Sequence, residues 1–242
     1  MSGETEEILV LYGSQTGNSE QAAIDISEKI PQQLGSKYTS RHMQLDDFLE
    51  IEKAKWTRNV IIVTSSYGVG AAPLGAYRFR AFCDEILERQ KECSGLLEDI
   101  HFALLGLGDS GYTTFFNNPT VFHKALLGAG ASQVGTLGKA DAAGSGDDSQ
   151  DKVIKRWIED IWDPWEKVLK KQPNVTDEIQ KKLKKTQETT FQMSAKLLSS
   201  DEDDDKTKKK SSNESSQYAL AILAISMLIA LLGVLMGKAY QA

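Results

Sequence analysis

Residues 8–26 read ILVLYGSQTGNSEQAAIDI and contain the signals of a strand, a loop and a helix in that order. The apolar run Ile8–Tyr12 predicts a buried strand. The Ser, Thr, Gly and Asn residues that follow predict a loop. The Ala-rich segment Glu20–Ile26 predicts a helix. This strand-loop-helix order is the repeating unit of α/β folds.

The same unit returns twice along the chain, and each further strand is a nearly continuous apolar run. Strands of this kind are buried on both faces, which indicates a parallel sheet covered by helices on both sides. A weaker, partly polar strand fits a sheet edge, and a fifth strand precedes a closing helix. The predicted strands are 7–13, 38–45, 60–64, 102–107 and 133–137, and the later helices lie near 77–91, 120–127 and 151–170. The sequence therefore predicts a doubly wound, five-stranded parallel α/β sheet.

The net charge limits the classes of partner. The chain carries a formal net charge of −6, and the acidic excess lies within residues 1–172. An acidic surface repels the phosphates of nucleic acid and favours a basic protein partner, through an attraction that weakens as salt rises. Cys83 and Cys93 suggest neither a disulfide framework nor a zinc site. We expect no nucleic-acid partner and no metal.

The C-terminal part of the chain differs in composition from the rest. Residues 173–217 are rich in Lys, Gln and Thr and then in runs of acidic and basic residues, which predicts a charged linker. Residues 218–236 form an uncharged apolar run long enough for a transmembrane helix, with a short tail at 237–242. Since no apolar signal segment opens the sequence, we expect a tail-anchored protein whose domain, residues 1–172, faces the cytosol, at the endoplasmic reticulum rather than the outer mitochondrial membrane.

The loop after the first strand has the chemistry of a phosphate site. It runs from Ser14 to Ser19 and supplies hydroxyls, an amide side chain and glycine ahead of a helix N-terminus. Backbone N–H groups and the helix dipole favour an anion at that position. The loop has neither a Lys nor the GxGxxG pattern of dinucleotide sites. A monophosphate held without metal fits it best, although a Ser/Thr cluster also serves as an ordinary helix N-cap.

Two later loops each place one tyrosine beside glycines. The second loop, SSYGVGAAP, contains Tyr67, and the third loop, GLGDSGYTTFFN, contains Tyr112. Both loops follow predicted strands, and open α/β sheets bind ligands at the carboxyl ends of their strands. Two aromatic rings at that edge could enclose a planar ring system while glycine backbone hydrogen-bonds to its rim. A single loop tyrosine is usually only a surface residue, but two that flank a phosphate site predict a cofactor site.

These three loops resemble the FMN-binding loops of flavodoxins and of the flavodoxin-like domain of diflavin reductases, such as cytochrome P450 reductase and methionine synthase reductase. The resemblance covers about residues 6–170 and implies a sheet of strand order 2-1-3-4-5. It implies that Tyr67 and Tyr112 flank the FMN ring and that the Gly68 peptide responds to protonation at the flavin. It implies FMN contacts from Ser14, Gln15, Thr16, Gly17, Asn18, Ser19, Ser65, Ser66, Tyr67, Gly68, Gly70, Leu107, Gly108, Asp109, Tyr112, Phe115, Asn117 and Asp141.

The second loop departs from this family. It usually carries acidic residues after its first glycines, whereas this chain has Val69, Ala71 and Ala72 there. The redox potential and the choice of partner can therefore differ from those of the family.

We expect an electron carrier rather than a complete reductase, with no catalytic residue of its own. Residues after 172 offer no pattern for FAD or nicotinamide modules. A separate FAD-containing NAD(P)H reductase would then reduce the FMN, and a membrane-associated haem protein or desaturase-type enzyme would accept single electrons. Two alternatives stay open from the sequence: an FMN-dependent NAD(P)H quinone reductase and a flavin-free membrane adaptor. The intact phosphate loop and the two tyrosine loops disfavour the adaptor, and the short second loop disfavours the quinone reductase.

Overall fold

The computed structural model describes residues 5–193, which contain a parallel sheet with the strand order β2-β1-β3-β4-β5. Each neighbouring pair of strands on this path is parallel. The predicted order 2-1-3-4-5 is thereby confirmed. The strands are β1 Glu6–Gly13, β2 Tyr38–Gln44, β3 Asn59–Ser65, β4 His101–Gly108, β5 Ser132–Gln133 and β6 Gly138–Asp141.

Helices cover both faces of the sheet, because the side chains of each central strand alternate between two cores. In β1, Leu9 and Leu11 belong to one core, while Ile8 and Val10 belong to the other. Burial on both faces explains why the strand is a continuous apolar run. The helices are α1 Asn18–Leu34, α2 Leu45–Phe48, α3 Tyr77–Glu88, α4 Gln90–Cys93, α5 Asn117–Gly128, α6 Gln150–Asp160, α7 Trp162–Leu169 and α8, residues 177–193.

The prediction of five strands needs correction at the sheet edge. Among residues 5–193 the sheet has six strands, because the expected strand at 133–137 is replaced by β5 and β6, which both pair with β4. Between them Gly135 has a φ of 68°. A left-handed residue cannot continue an extended strand, so the chain leaves the sheet and rejoins it further along β4.

The closing helix at 151–170 is also divided in two. It breaks at Ile161, between α6 and α7. Pro164 follows in the first turn of α7 and has no N–H to donate to the carbonyl of Asp160. A proline fits readily in the first turn of a helix, where its missing N–H costs least, which is consistent with a second helix that begins here.

Residues 177–193 were assigned from composition to the charged linker 173–217, but they form α8 and pack on the domain. Leu183 is buried in the core that also contains Trp56, and the Gln187 amide donates to the carbonyl of Ala54. Lys182 lies 2.8 Å from carboxylate oxygens of both Glu98 and Asp99. The buried positions of α8, Leu183, Gln187 and Thr190, repeat at helical spacing beneath a charged face, a pattern that composition alone obscures. The linker assignment is therefore wrong for residues 177–193.

The transmembrane helix that the sequence analysis added to the fold class is not supported. Within residues 5–193, no helix is both long enough and apolar enough to cross a bilayer. The run 218–236, on which that prediction was based, lies outside the described residues, as do 194–217 and the tail 237–242.

Candidate cofactor site

The three loops that were singled out from the sequence meet around one cavity at the carboxyl ends of β1, β3 and β4. The cavity has a volume of about 390 Å³, within the usual range for small-molecule sites. It lies where the strand order reverses, since β1 is flanked by β2 on one side and β3 on the other. Open α/β sheets bind ligands at such a switch point.

The first loop leaves the N-terminus of α1 open to the cavity. Gly17 is the N-cap residue, with a φ of 93°, and no side chain caps the helix. Instead the hydroxyl of Ser14 accepts a hydrogen bond from the Gly17 N–H at 3.0 Å, which closes the loop below the helix. The first N–H groups of an α-helix have no acceptor within the helix. They are therefore available, together with the lining side chains of Thr16 and Ser19, to bind an anion.

The two tyrosines line the cavity from different loops and are unusually exposed. Tyr67 is 52% exposed and Tyr112 is 61% exposed. Large aromatic side chains normally bury most of their surface. Two exposed rings at one cavity suit a planar ligand that covers them when it binds.

Hydrogen bonds fasten the second loop to the third. The Asn117 amide donates to the carbonyl of Gly70 at 3.1 Å, and the Thr114 hydroxyl donates to the carbonyl of Gly68 at 3.3 Å. Gly70 has a φ of 83°, and a Cβ there would lie 2.9 Å from Asn117. Only glycine fits this position without strain, so the two loops can touch.

Asp141, one of two acidic residues of the predicted site, holds the third loop from β6. Its carboxylate accepts hydrogen bonds from the Ser110 N–H at 2.9 Å and from the Ala143 N–H at 3.0 Å. Hydrogen bonding by Ser110 lowers the pKa of Asp141 below its ordinary value. The carboxylate is thus charged at neutral pH and acts on the loop rather than on the cavity wall.

Two braces of the site were missed by the sequence analysis. Asn118 is fully buried, and its amide donates to the carbonyl of Ser65 at 3.0 Å while its N–H donates to the Ser66 hydroxyl at 2.9 Å. Gln150 donates to the carbonyl of Gly108 and accepts from Asn18 at 3.2 Å. Their partners are distant in sequence, so only folding reveals them.

Most of the predicted site residues line the cavity, and the others brace it. Ser14, Gly17, Gly70, Asn117 and Asp141 are the bracing residues among them. The lining residues also include Thr114, Ala142 and Gln150, which the prediction lacked. The predicted residues that line the cavity are Gln15, Thr16, Asn18, Ser19, Ser65, Ser66, Tyr67, Gly68, Leu107, Gly108, Asp109, Tyr112 and Phe115. Their individual roles in binding stay predictions.

Comparison with known proteins gives the family. The model of the Flavodoxin family matches residues 10–157. The chain belongs to the flavodoxin family. Flavodoxin 1 from Bacillus cereus aligns with a TM-score of 0.49 at 16% identity, over 69% of this chain and 100% of that one.

Curated relatives of this flavodoxin-family chain are larger proteins. The sulfite reductase [NADPH] flavoprotein alpha-component of Thiocapsa roseopersicina is 34% identical over 53% of this chain and 23% of its own length. The pyruvate dehydrogenase [NADP(+)] of Cryptosporidium parvum is 36% identical over 64% of this chain and 8% of its own. The NADPH–cytochrome P450 reductase of Saccharomyces cerevisiae is 32% identical over 63% of this chain and 20% of its own length. The chain thus spans less than a quarter of these relatives.

The family and these relatives identify FMN as the cofactor, and the chain as a flavodoxin-like FMN electron-transfer domain similar to those of diflavin reductases. The cavity fits this group. Its lining residues include neither Lys nor Arg, so a phosphate would be bound by N–H and hydroxyl donors of the first loop, at the uncapped end of α1. Tyr67 and Tyr112 offer two rings to a planar system.

Proposed function

We propose that this domain relays single electrons from a separate FAD-containing, NAD(P)H-dependent flavoprotein to a redox acceptor. The observation that supports this most directly is the pair of exposed tyrosines that line one cavity from two loops. Bound FMN supplies the redox chemistry, while the protein positions it.

The two tyrosines favour electron transfer over direct hydride transfer. Hydride transfer requires a nicotinamide stacked on a flavin face in a fixed geometry. In our proposal Tyr67 covers one face and Tyr112 the other, so that neither face is free for a nicotinamide. An electron needs only close approach of a partner to the exposed edge.

The relatives support the source of the electrons. The names of the sulfite reductase flavoprotein and of the cytochrome P450 reductase both specify NADPH, and this chain matches a minor part of each. We infer that the electrons reach this domain from NADPH through another flavin module. A membrane-associated acceptor and a cytosolic orientation stay predictions from the sequence.

Stopped-flow absorbance at the FMN band tests this function on the full chain loaded with FMN. NADPH alone should reduce the FMN slowly, and a catalytic amount of a single-FAD ferredoxin–NADP(+) reductase should accelerate reduction by roughly a hundredfold or more. Reduction by NADPH alone at about 1 per second or faster would instead identify a complete reductase. A colourless protein that takes up no added FMN would favour an adaptor.

A further inference from the structure

The segment from Ser66 to Tyr77 combines exposure with a complete lack of charged side chains. Val69 is 86% exposed, and Tyr67, Leu74 and Tyr77 are each slightly more than half exposed. We call these four residues the apolar ridge. Single exposed apolar residues are normal on protein surfaces, but several on one short segment mark an interaction site.

The apolar ridge borders the cofactor cavity. At one end the Leu74 carbonyl accepts a hydrogen bond from the Ser14 N–H at 3.1 Å, which joins the ridge to the first loop. At the other end Gly70 packs against the third loop through Asn117. Tyr67 itself lines the cavity, where bound FMN would cover part of its ring, so the ridge is exposed to a partner mainly through Val69, Leu74 and Tyr77. Any protein that approaches the cavity from this side meets the apolar ridge.

The ridge is held in place by its own backbone. Tyr67 and Ala71 exchange two hydrogen bonds, at 3.0 and 2.9 Å. The Asp46 carboxylate accepts from the N–H groups of Tyr77 and Phe79 at 3.1 and 3.0 Å. Because the ridge is already ordered, it loses little conformational entropy when a partner binds.

The charges next to the ridge have partners within the domain. Arg78 pairs with Glu50, and Arg80 pairs with Asp84, each at 2.9 Å. A charged group on a partner would lose its water against an uncharged surface without gaining a counter-ion. The favourable counterpart is therefore uncharged and apolar. This differs from the basic partner that the net charge of the chain suggests.

We propose that the apolar ridge is the docking surface for the electron-donating flavoprotein, whose matching surface is an uncharged apolar patch beside its own cofactor. The inference rests on the proposed function and adds the chemistry of the interface. Contacts of this kind are driven by removal of apolar surface from water, which salt does not screen. Apolar contact thus holds the complex, and the rate constant for its formation should depend little on salt.

A matched pair of charge substitutions tests the ridge in the full FMN-loaded chain. Val69→Asp alters the most exposed ridge residue, which does not line the cavity. Leu127→Asp makes the same kind of change at a residue of α5 that is 44% exposed and lies outside the ridge. The measurement is the second-order rate constant for FMN reduction by NADPH and the single-FAD ferredoxin–NADP(+) reductase, with the Kd for FMN as a control.

We expect Val69→Asp to lower that rate constant by about tenfold or more, because an unpaired carboxylate is buried at the contact. For Leu127→Asp the rate constant should stay within about twofold of the wild-type value, and the Kd for FMN should be unchanged in both variants. Raising NaCl from roughly 50 to 500 mM should change the wild-type rate constant by less than about threefold.

Three results would overturn the ridge. Equal rate constants for wild type and Val69→Asp would do so while leaving the carrier function intact. A loss of FMN affinity in Val69→Asp would show that the ridge serves the cofactor rather than a partner. If the rate constant falls steeply with salt, and equally in wild type and Val69→Asp, docking depends on charge rather than on the ridge. A wild type that the reductase does not accelerate would contradict the proposed function itself, together with the partner assigned here.

Discussion

The two ends of the sheet use their polar groups in opposite ways. At the carboxyl ends of the strands, α1 lacks a side-chain cap, and Tyr67 and Tyr112 are exposed. At the amino ends, Arg58 and Asn59 are buried, and their side chains are hydrogen-bonded to Glu6. The first end has binding capacity left over for a ligand, whereas at the second end Arg58, Asn59 and Glu6 are hydrogen-bonded to one another. Function and stability are thus separated along the strands.

Cavity size does not identify the functional end, because the larger cavity lies at the other end. A cavity of about 730 Å³ lies at the amino ends, between the starts of the strands and residues 174–183. It is larger than the cofactor cavity of about 390 Å³. Among its lining residues, however, Arg58 is already bound to Glu6, and Lys37 lies over the ring of Tyr38 at 4.8 Å. The functional end is distinguished by an uncapped helix N-terminus and two exposed aromatic rings rather than by cavity volume.

The largest effect should come from breaking the buried ion pair at the amino ends. Arg58 binds Glu6 through two nitrogens, at 2.8 and 3.1 Å. We expect Arg58→Ala to lower the free energy of unfolding by about 3–5 kcal/mol, because Glu6 loses its partner in a largely buried site. Chemical denaturation measures this. FMN affinity of the remaining folded protein should not change.

The neighbouring pair provides the control. Arg41 and Glu7 lie 3.3 Å apart, and their side chains are 44% and 31% exposed, against 7% and 20% for Arg58 and Glu6. Arg41→Ala should therefore cost at most about 1 kcal/mol. Equal losses for the two arginine variants would show that burial at the amino ends does not govern stability.

A second stability effect should come from α8. Leu183 is 2% exposed within the core. Leu183→Ala should lower the free energy of unfolding by about 2–4 kcal/mol through lost burial and a new cavity. The measurement is a denaturant titration beside Lys184→Ala, an exposed change on the same helix that should be nearly neutral. If Leu183→Ala leaves the free energy of unfolding unchanged, residues 177–193 do not stabilise the domain and belong to the linker.

At the carboxyl ends, the comparison predicts a loss of binding without a loss of stability. Thr16→Ala should weaken FMN by about 1.5–3 kcal/mol, since a hydrogen bond to the charged phosphate is lost, and should leave riboflavin binding nearly unchanged. Tyr112→Ala should weaken both ligands. Fluorescence titration with each flavin measures the two affinities. If Thr16→Ala weakens riboflavin as much as FMN, the phosphate lies elsewhere.

Local signals explain why the sequence predicted that the three loops meet at the carboxyl ends of the strands. Gly17, Tyr67 and Tyr112 lie in loops that directly follow apolar strands, so their meeting follows from the parallel sheet alone. The edge strand was mispredicted because a single left-handed residue, Gly135, interrupts it. Backbone conformation at one glycine is not readable from the apolar pattern around it.

Long-range packing explains what the sequence did not reveal. Gln150 joins Asn18 across the site, and Gln172 joins Asn59 across the amino ends. Neither glutamine stands in a motif, and each acquires its partner only when distant elements meet. In α8 the charged face dominated the composition and concealed the buried face. Braces and packed helices of this kind require the tertiary structure.

The smallest effect is a pH dependence at the amino ends, which involves His101 at the start of β4. Its Nδ1 atom is buried and, in the described part of the chain, has no hydrogen-bond partner. Burial, and secondarily the nearby charge of Arg58, lowers the pKa of His101, although Asp99 opposes this. The unfolded chain therefore binds a proton at a higher pH than the folded chain does, near the ordinary histidine value of about 6.5.

This sign fixes the direction of the last prediction. The stability associated with neutral His101 is fully present above pH about 6.5 and is lost progressively as pH falls through the lower pKa of the folded state. Between pH about 7.5 and 5.5, the free energy of unfolding of wild type should fall more than that of His101→Gln, which cannot be protonated. His42→Gln, at an exposed position of β2, is the control and should follow wild type. Parallel pH profiles for wild type and His101→Gln would show that His101 contributes no pH dependence, and the amino ends would then owe their stability to the Arg58–Glu6 pair and α8 alone.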